Sequence, residues 1–226
     1  MRNFLLVISI VIFTISGFLI KDRDLKDKKH KEVVMEKENR EKRLPPGQRE
    51  VKEIIELTKG DIPKIDKSKW RLKVYGEVEN PMEFDWKKFS HLKQDTSVSD
   101  FHCVTGWSVL GVKWEGIKFK TLVEKVKVKP EAKFVIFESY DEYTTNIPLE
   151  DALRDNVILA VKLYSQELTL GHGGPVRLVV PHLYAWKSAK WVKGIKFSKQ
   201  DEPGFWETRG YHNYGDVWKE QRFQEK

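Results

Sequence analysis

A single cysteine, Cys103, is the scarcest feature of this 226-residue sequence. One thiol closes no internal disulfide and builds no multi-cysteine zinc or iron–sulfur site. A C-x-x-C-H haem attachment is excluded for the same reason. What one thiol can do is act as a nucleophile, or give one soft thiolate ligand to a metal that brings its other ligands with it. Repeats of fixed period, a P-loop and a GxGxxG fingerprint are missing as well, which removes solenoids and the common nucleotide cradles from consideration.

Long apolar runs are equally scarce. Phe4–Ile20 is free of charge, and its seventeen residues stand at the lower limit for a membrane-spanning helix. A cleaved secretory signal is the rival reading. Only Arg2 precedes the run, no A-x-A-like site follows it, and neither a twin arginine nor a lipobox cysteine is present. We therefore expect residues 1–20 to form one uncleaved transmembrane helix, a single-pass anchor in the cell membrane. Residues 21–43 carry ten basic and seven acidic side chains. Such a segment cannot bury a core and reads as a charged linker, or as a helix laced with i,i+4 pairs. Arg2 contributes one of the chain's seven net positive charges and the linker three, which leaves three for residues 44–226. The charge therefore marks no nucleic-acid partner, whereas six bases over 21–31 suit an anionic membrane surface. Set against the lone Arg2, the same six bases place the folded domain on the cytoplasmic side.

From residue 44 onward the pattern is that of one globular domain of ordinary size. Val51, Ile54 and Ile55 follow helical spacing, with Leu57 slightly off the stripe, and predict a short helix stopped by Gly60. Trp70–Val78 alternates like a half-buried strand, and Phe84–His91 admits a helical turn. Trp114–Lys118 reads as extended, and Phe119, Leu122, Val123 and Val126 share one helical face. Phe134–Phe137 is short and continuous, as an interior strand would be. Tyr143–Pro148 reads as extended, Leu149–Leu153 as helical, and three β-rich runs follow at 157–164, 176–180 and 191–197. Short strands mixed irregularly with short helices argue for an α+β class and against regular βαβ alternation.

Two stretches carry chemistry. Asp100-Phe101-His102-Cys103-Val104-Thr105-Gly106-Trp107-Ser108 contains the thiol, and Gly-Val-Lys-Trp-Glu-Gly-Ile follows at 111–117. A lone cysteine is often just a small buried hydrophobe. The second stretch is Gly171-His172-Gly173-Gly174-Pro175-Val176-Arg177, continuing to Pro181, with Ser188-Ala189-Lys190-Trp191 beyond it. Its three glycines allow close backbone approach to a ligand, and Arg177 offers a planar fork to a phosphate. The plainer alternative is a hairpin-type loop with a surface arginine.

Together these stretches resemble the sulfite oxidase family of molybdopterin-binding oxidoreductases. The likeness runs to its small bacterial and archaeal members, which include relatives of the protein-methionine-sulfoxide reductase catalytic subunit. It covers roughly 44–226, in three separated blocks. The resemblance implies a sulfite-oxidase-type mixed-sheet domain and a molybdopterin cofactor carrying molybdenum or tungsten. It implies Cys103 as the one protein ligand on the metal and catalytic centre. It also implies His172, Arg177, Ser188, Lys190 and, across an uneven loop, Ser139 as the residues that hold the pterin. The sulfoxide-reductase branch has asparagine where His172 stands, so on this point the chain is more similar to the sulfite oxidase branch. The aromatic tail at 204–218 resembles the end of the small members; on its residues alone it reads as cover for a core.

The implied activity is oxygen-atom transfer on a small sulfur oxyanion or sulfoxide, with electrons exchanged with a separate partner because the chain has no haem or cluster motif. Two other classes stay open on the residues alone. One is a cysteine hydrolase or transferase with His102, His172 or His182 as base, although neighbours on a strand face opposite ways, which disfavours His102. The other is a cofactor-free, membrane-tethered binding module.

Overall fold

The computed structural model describes residues 28–224. Contacts divide the chain at Arg43 and Leu44 into two units. In the first, residues 28–41 are helical and exposed along their length, and Lys37 faces Glu41 one turn on, at 4.0 Å. Val33 and Met35 are exposed with the rest, so this helix buries no face and rests on propensity and side-chain pairs. Among the described residues no helix is long and apolar enough to cross a membrane. The Phe4–Ile20 run, expected as the anchor, lies outside them.

The second unit is α+β, with two mixed sheets and few helices. One sheet contains β1 (Arg49–Glu50), β4 (Asp95–Cys103), β5 (Trp107–Lys118), β8 (Ile158–Leu163), β9 (Gln166–Glu167) and β10 (Arg177–Val179). The other runs β3 (Met82–Asp85), β2 (Arg71–Gly76), β11 (Val192–Ser198), β6 (Phe134–Ser139), β7 (Thr144–Pro148). In this second sheet β2 and β11 are parallel, and the other pairings are antiparallel. Three short helices join the strands: α1 (Trp86–Ser90), α2 (Phe119–Val126) and α3 (Leu149–Ala152). Helix α2 forms where the sequence places it, burying Phe119, Leu122 and Val126, and it stops at Lys127, which takes a left-handed conformation.

Alternation along the strands of the first sheet positions the site. Leu159 and Leu178 face the main core, where they meet Leu72, Val135, Phe137, Ile195 and Phe197 of the second sheet. Their neighbours Ile158, Ala160 and Val179 face the other way, into a second cluster with Phe101, Trp107, Trp114 and Cys103. A sheet covered on both faces holds the cysteine strand rigidly. Residues 51–57 depart from expectation: they form no helix. Arg49 N–H bonds the carbonyl of Gly106 at 2.9 Å and Val51 N–H that of Ser108 at 2.8 Å. Those sheet-type bonds to the cysteine hairpin outweigh the local helical pattern.

Candidate active site

Cys103 ends β4 and pairs with Trp107 at the start of β5. The loop between them is Val104-Thr105-Gly106, with Gly106 at φ +90°, the left-handed position that a three-residue hairpin reserves for glycine. Cys103 is buried, and its Sγ lies 3.2 Å from Thr105 Oγ1. His102 faces away from it. Its Nδ1 lies 2.8 Å from Ser108 Oγ, which donates to Gln48 Oε1 at 3.0 Å. His182 is equally uninvolved, being 3.0 Å from the buried carboxylate of Asp151.

The structure brings all six expected site residues to one cavity of about 300 Å³: Cys103, Ser139, His172, Arg177, Ser188 and Lys190. Arg177 is a buried residue of β10, contrary to the surface-arginine alternative. Its guanidinium lies 5.1 Å from the ring centroids of both Phe101 and Trp114 and donates to the carbonyls of His172 (3.0 Å), Ser188 (3.3 Å) and Leu178 (3.4 Å). Burial lowers its pKa to about 10. Lys190 donates to the carbonyls of Leu57 (2.8 Å) and Gly171 (2.6 Å). Burial first, and then Arg177, lower its pKa to about 8. Gly173, at φ +96°, leaves room for both: a Cβ there would stand 2.9 Å from the Lys190 side chain and 3.1 Å from Arg177 Cβ.

The hydroxyls divide in role. Ser188 Oγ accepts from Val180 N–H at 3.0 Å and so holds the turn. Ser139 Oγ is buried and has no partner among the described residues. His172 meets Thr169 Oγ1 (3.0 Å) and Glu56 Oε1 (2.9 Å).

Sequence reasoning missed the far wall. Trp186, Trp206 and Tyr211 line the cavity, so the tail read as core cover does both jobs. Trp186 stacks on Tyr184 at 5.3 Å, meets Tyr211 edge-on at 5.1 Å and donates to the buried Glu207 at 3.0 Å. Burial first, and then the nearby Cys103, raise the pKa of Tyr211. No local signal separates these aromatics from ordinary core residues.

A family model described as the oxidoreductase molybdopterin binding domain matches residues 59–206. The chain belongs to this family. Its cofactor is molybdopterin with molybdenum, and it is an oxidoreductase. The uncharacterized oxidoreductase YuiH of Bacillus subtilis is 45% identical over 182 residues, covering 80% of this chain and 92% of that one. The protein-methionine-sulfoxide reductase catalytic subunit MsrP of Campylobacter jejuni is 29% identical over 163 residues, 65% of this chain and 54% of the relative. The putative protein-methionine-sulfoxide reductase subunit YedZ1 of Azospira oryzae is 30% identical over 155 residues, 69% and 59% respectively. The chain thus spans little more than half the length of these last two. The sulfane dehydrogenase SoxCD of Paracoccus pantotrophus shares the fold, with a TM-score of 0.56 at 23% identity over 62% of this chain and 40% of that one.

The cavity of this molybdopterin oxidoreductase fits its cofactor. Two buried or half-buried cations, Arg177 and Lys190, have no carboxylate within ion-pair distance among the described residues, and their hydrogen bonds go to carbonyls. Uncompensated buried charge is unfavourable, and an anionic ligand relieves it. The unpartnered Ser139 hydroxyl adds a hydrogen-bonding group facing the same space.

Proposed function

We propose that this oxidoreductase reduces a neutral sulfoxide, with Cys103 as metal ligand and Ser139, His172, Arg177, Ser188 and Lys190 holding the pterin. When bound, the cofactor supplies two-electron oxygen-atom transfer. A sulfoxide, two electrons and two protons give a sulfide and water, with the electrons coming from a separate redox partner.

The observation that carries the reading is the convergence of the six residues on one cavity. Lining chemistry favours a sulfoxide over sulfite. The lining cations are Lys59, Arg177 and Lys190, and Lys59 is held by Asp141, at 2.6 Å from its carbonyl and 3.6 Å from its carboxylate. Phe101, Trp107, Trp186 and Tyr211 line the same cavity as Cys103, walls suited to an apolar, neutral group. Tyr211, a phenol in the cavity wall, offers an O–H to the departing oxygen. The name of the Campylobacter relative, a protein-methionine-sulfoxide reductase catalytic subunit, supports the same substrate class and a separate partner.

The test is elemental analysis with paired assays. About one molybdenum per chain is expected, lost in Cys103→Ser, with dye-coupled reduction of an alkyl sulfoxide well above oxidation of sulfite. Absence of metal in protein from a cofactor-competent host would refute the reading. A preference for sulfite would refute the substrate. We further propose that the Phe4–Ile20 run anchors the chain with the catalytic domain in the cytoplasm, on the charge asymmetry around it. Protease added to intact cells is expected to leave residues 44–226 whole until lysis.

A further inference from the structure

The loop that presents Cys103 is held by parts of the chain outside the 59–206 family match. The Cys103 carbonyl accepts from Gln48 Nε2 at 3.0 Å as well as from Gly106 N–H at 3.1 Å. Next along the loop, the Val104 carbonyl accepts from Arg222 Nη1. Arg49 N–H serves the Gly106 carbonyl at 2.9 Å. Of the three donors from beyond the loop, Gln48 and Arg49 precede the matched region and Arg222 follows it.

Each clamp residue is itself fixed. Gln48 Oε1 accepts from Ser108 Oγ at 3.0 Å, so its amide bridges both strands of the hairpin. Arg222 Nη2 reaches the Pro46 carbonyl at 3.2 Å, its guanidinium lies 5.0 Å from the Tyr184 ring centroid, and Glu220 stands 3.5 Å away. Arg222 thereby ties the chain's end to the segment that carries Gln48. Gly47 holds φ +66°, a left-handed conformation that favours glycine, and lies against the ends of the Glu220 and Arg222 side chains.

We infer that Gln48 and Arg222 are positioning residues that fix the Cys103 loop, and with it the direction of the thiolate toward the metal. The inference rests on the proposed role of Cys103 as ligand. Hairpin loops open locally at little free energy unless tied down, and groups behind a metal ligand tune the ligand's bond to the metal. Gln48 and Arg222 touch the backbone of the loop and leave the sulfur to the metal.

The test uses the full chain, with and without cofactor, in Gln48→Leu, Arg222→Leu and the milder Arg222→Lys and Ser108→Ala. Lysine keeps the charge but offers a single nitrogen in place of the planar fork whose two ends reach the two carbonyls. In cofactor-free protein, alkylation of Cys103 by iodoacetamide is expected to quicken about tenfold in the leucine variants, the effect of losing one such bond. A smaller rise is expected in the milder pair. Gln48→Leu combined with Ser108→Ala should match Gln48→Leu alone, because the two share one bond network. In loaded protein, the thiolate-to-metal absorption band should shift while metal content holds. Should the leucine variants fail to fold, the milder pair decides by the same readouts. Alkylation within about twofold of wild type in folded variants, less than a single bond is worth, would overturn the inference. So would an unmoved absorption band. If the wild type carries no metal, the functional reading fails while the alkylation rates still decide whether these residues hold the loop.

Discussion

Arg177 and Lys190 bring positive charge to one cavity by different means, and their removal should separate folding from cofactor binding. Arg177→Ala empties the space beside Phe101 and Trp114 and takes a donor from three carbonyls. It should destabilise the cofactor-free protein by about 2–4 kcal/mol, read by urea titration. Lys190→Met keeps the stem and loses two bonds at the cavity's edge. Here stability at neutral pH should hold or rise, while cofactor occupancy at limiting supply falls about tenfold. The lysine also sets a pH signature. Folding lowers its pKa from 10.5 to about 8, so between those values the unfolded chain binds more protons. The stability of the cofactor-free protein should therefore rise with pH across that window, and Lys190→Met should flatten the rise. An anionic cofactor restores the charge, so its binding should take up a proton and weaken as pH climbs through the same range. Cys103 and the 171–190 residues were legible because each stands in a short contiguous motif. Gln48 lies 55 positions from Cys103 and Arg222 lies 118 from Val104, and nothing in their immediate neighbours marks them.

At the scale of elements, β4, β5 and the loop between them carry the cysteine, and the glycine that shapes the loop allows a controlled test. Gly106 and Gly210 both hold positive φ, +90° and +93°. A Cβ at Gly106 would stand 3.3 Å from the Gly47 carbonyl, while at Gly210 it meets nothing within 4 Å. Alanine at either position should destabilise by about 1–2 kcal/mol through backbone strain. Only Gly106→Ala should also lower molybdenum content, because only that loop presents the thiolate. Equal metal loss in both would assign the effect to general unfolding. Most strands were readable because period-two alternation and β-rich runs coincide with burial, as in Leu72 and Val74 of β2. Residues 51–57 misled because their apolar spacing fits a helix equally well. The hydrogen bonds that decide the matter go to Gly106 and Ser108, far along the chain.

For the molecule as a whole, both ends of the second unit return to the cysteine loop, which predicts a sharp boundary for deletion. Trp70, Leu72 and the other members of the apolar clusters all come from the second unit, none from residues 28–43. Deleting residues 1–43 should therefore leave the thermal midpoint and metal content of a purified domain near those of the full chain. Eight residues further on the outcome should change. A chain that begins after Val51 lacks the Gln48 amide and the N–H groups of Arg49 and Val51 that serve the hairpin. It also lacks the Pro46 carbonyl that Arg222 grips. The family match begins at residue 59, so a design guided by the matched region alone would remove these residues as well. That shorter chain keeps the main core and should fold, because Trp70, Phe137 and Phe197 are untouched. It should nonetheless retain far less molybdenum than the longer one and react faster with iodoacetamide at Cys103. Equal metal content and equal iodoacetamide rates in the two truncated proteins would show that the hairpin needs neither end of the chain to hold its thiolate.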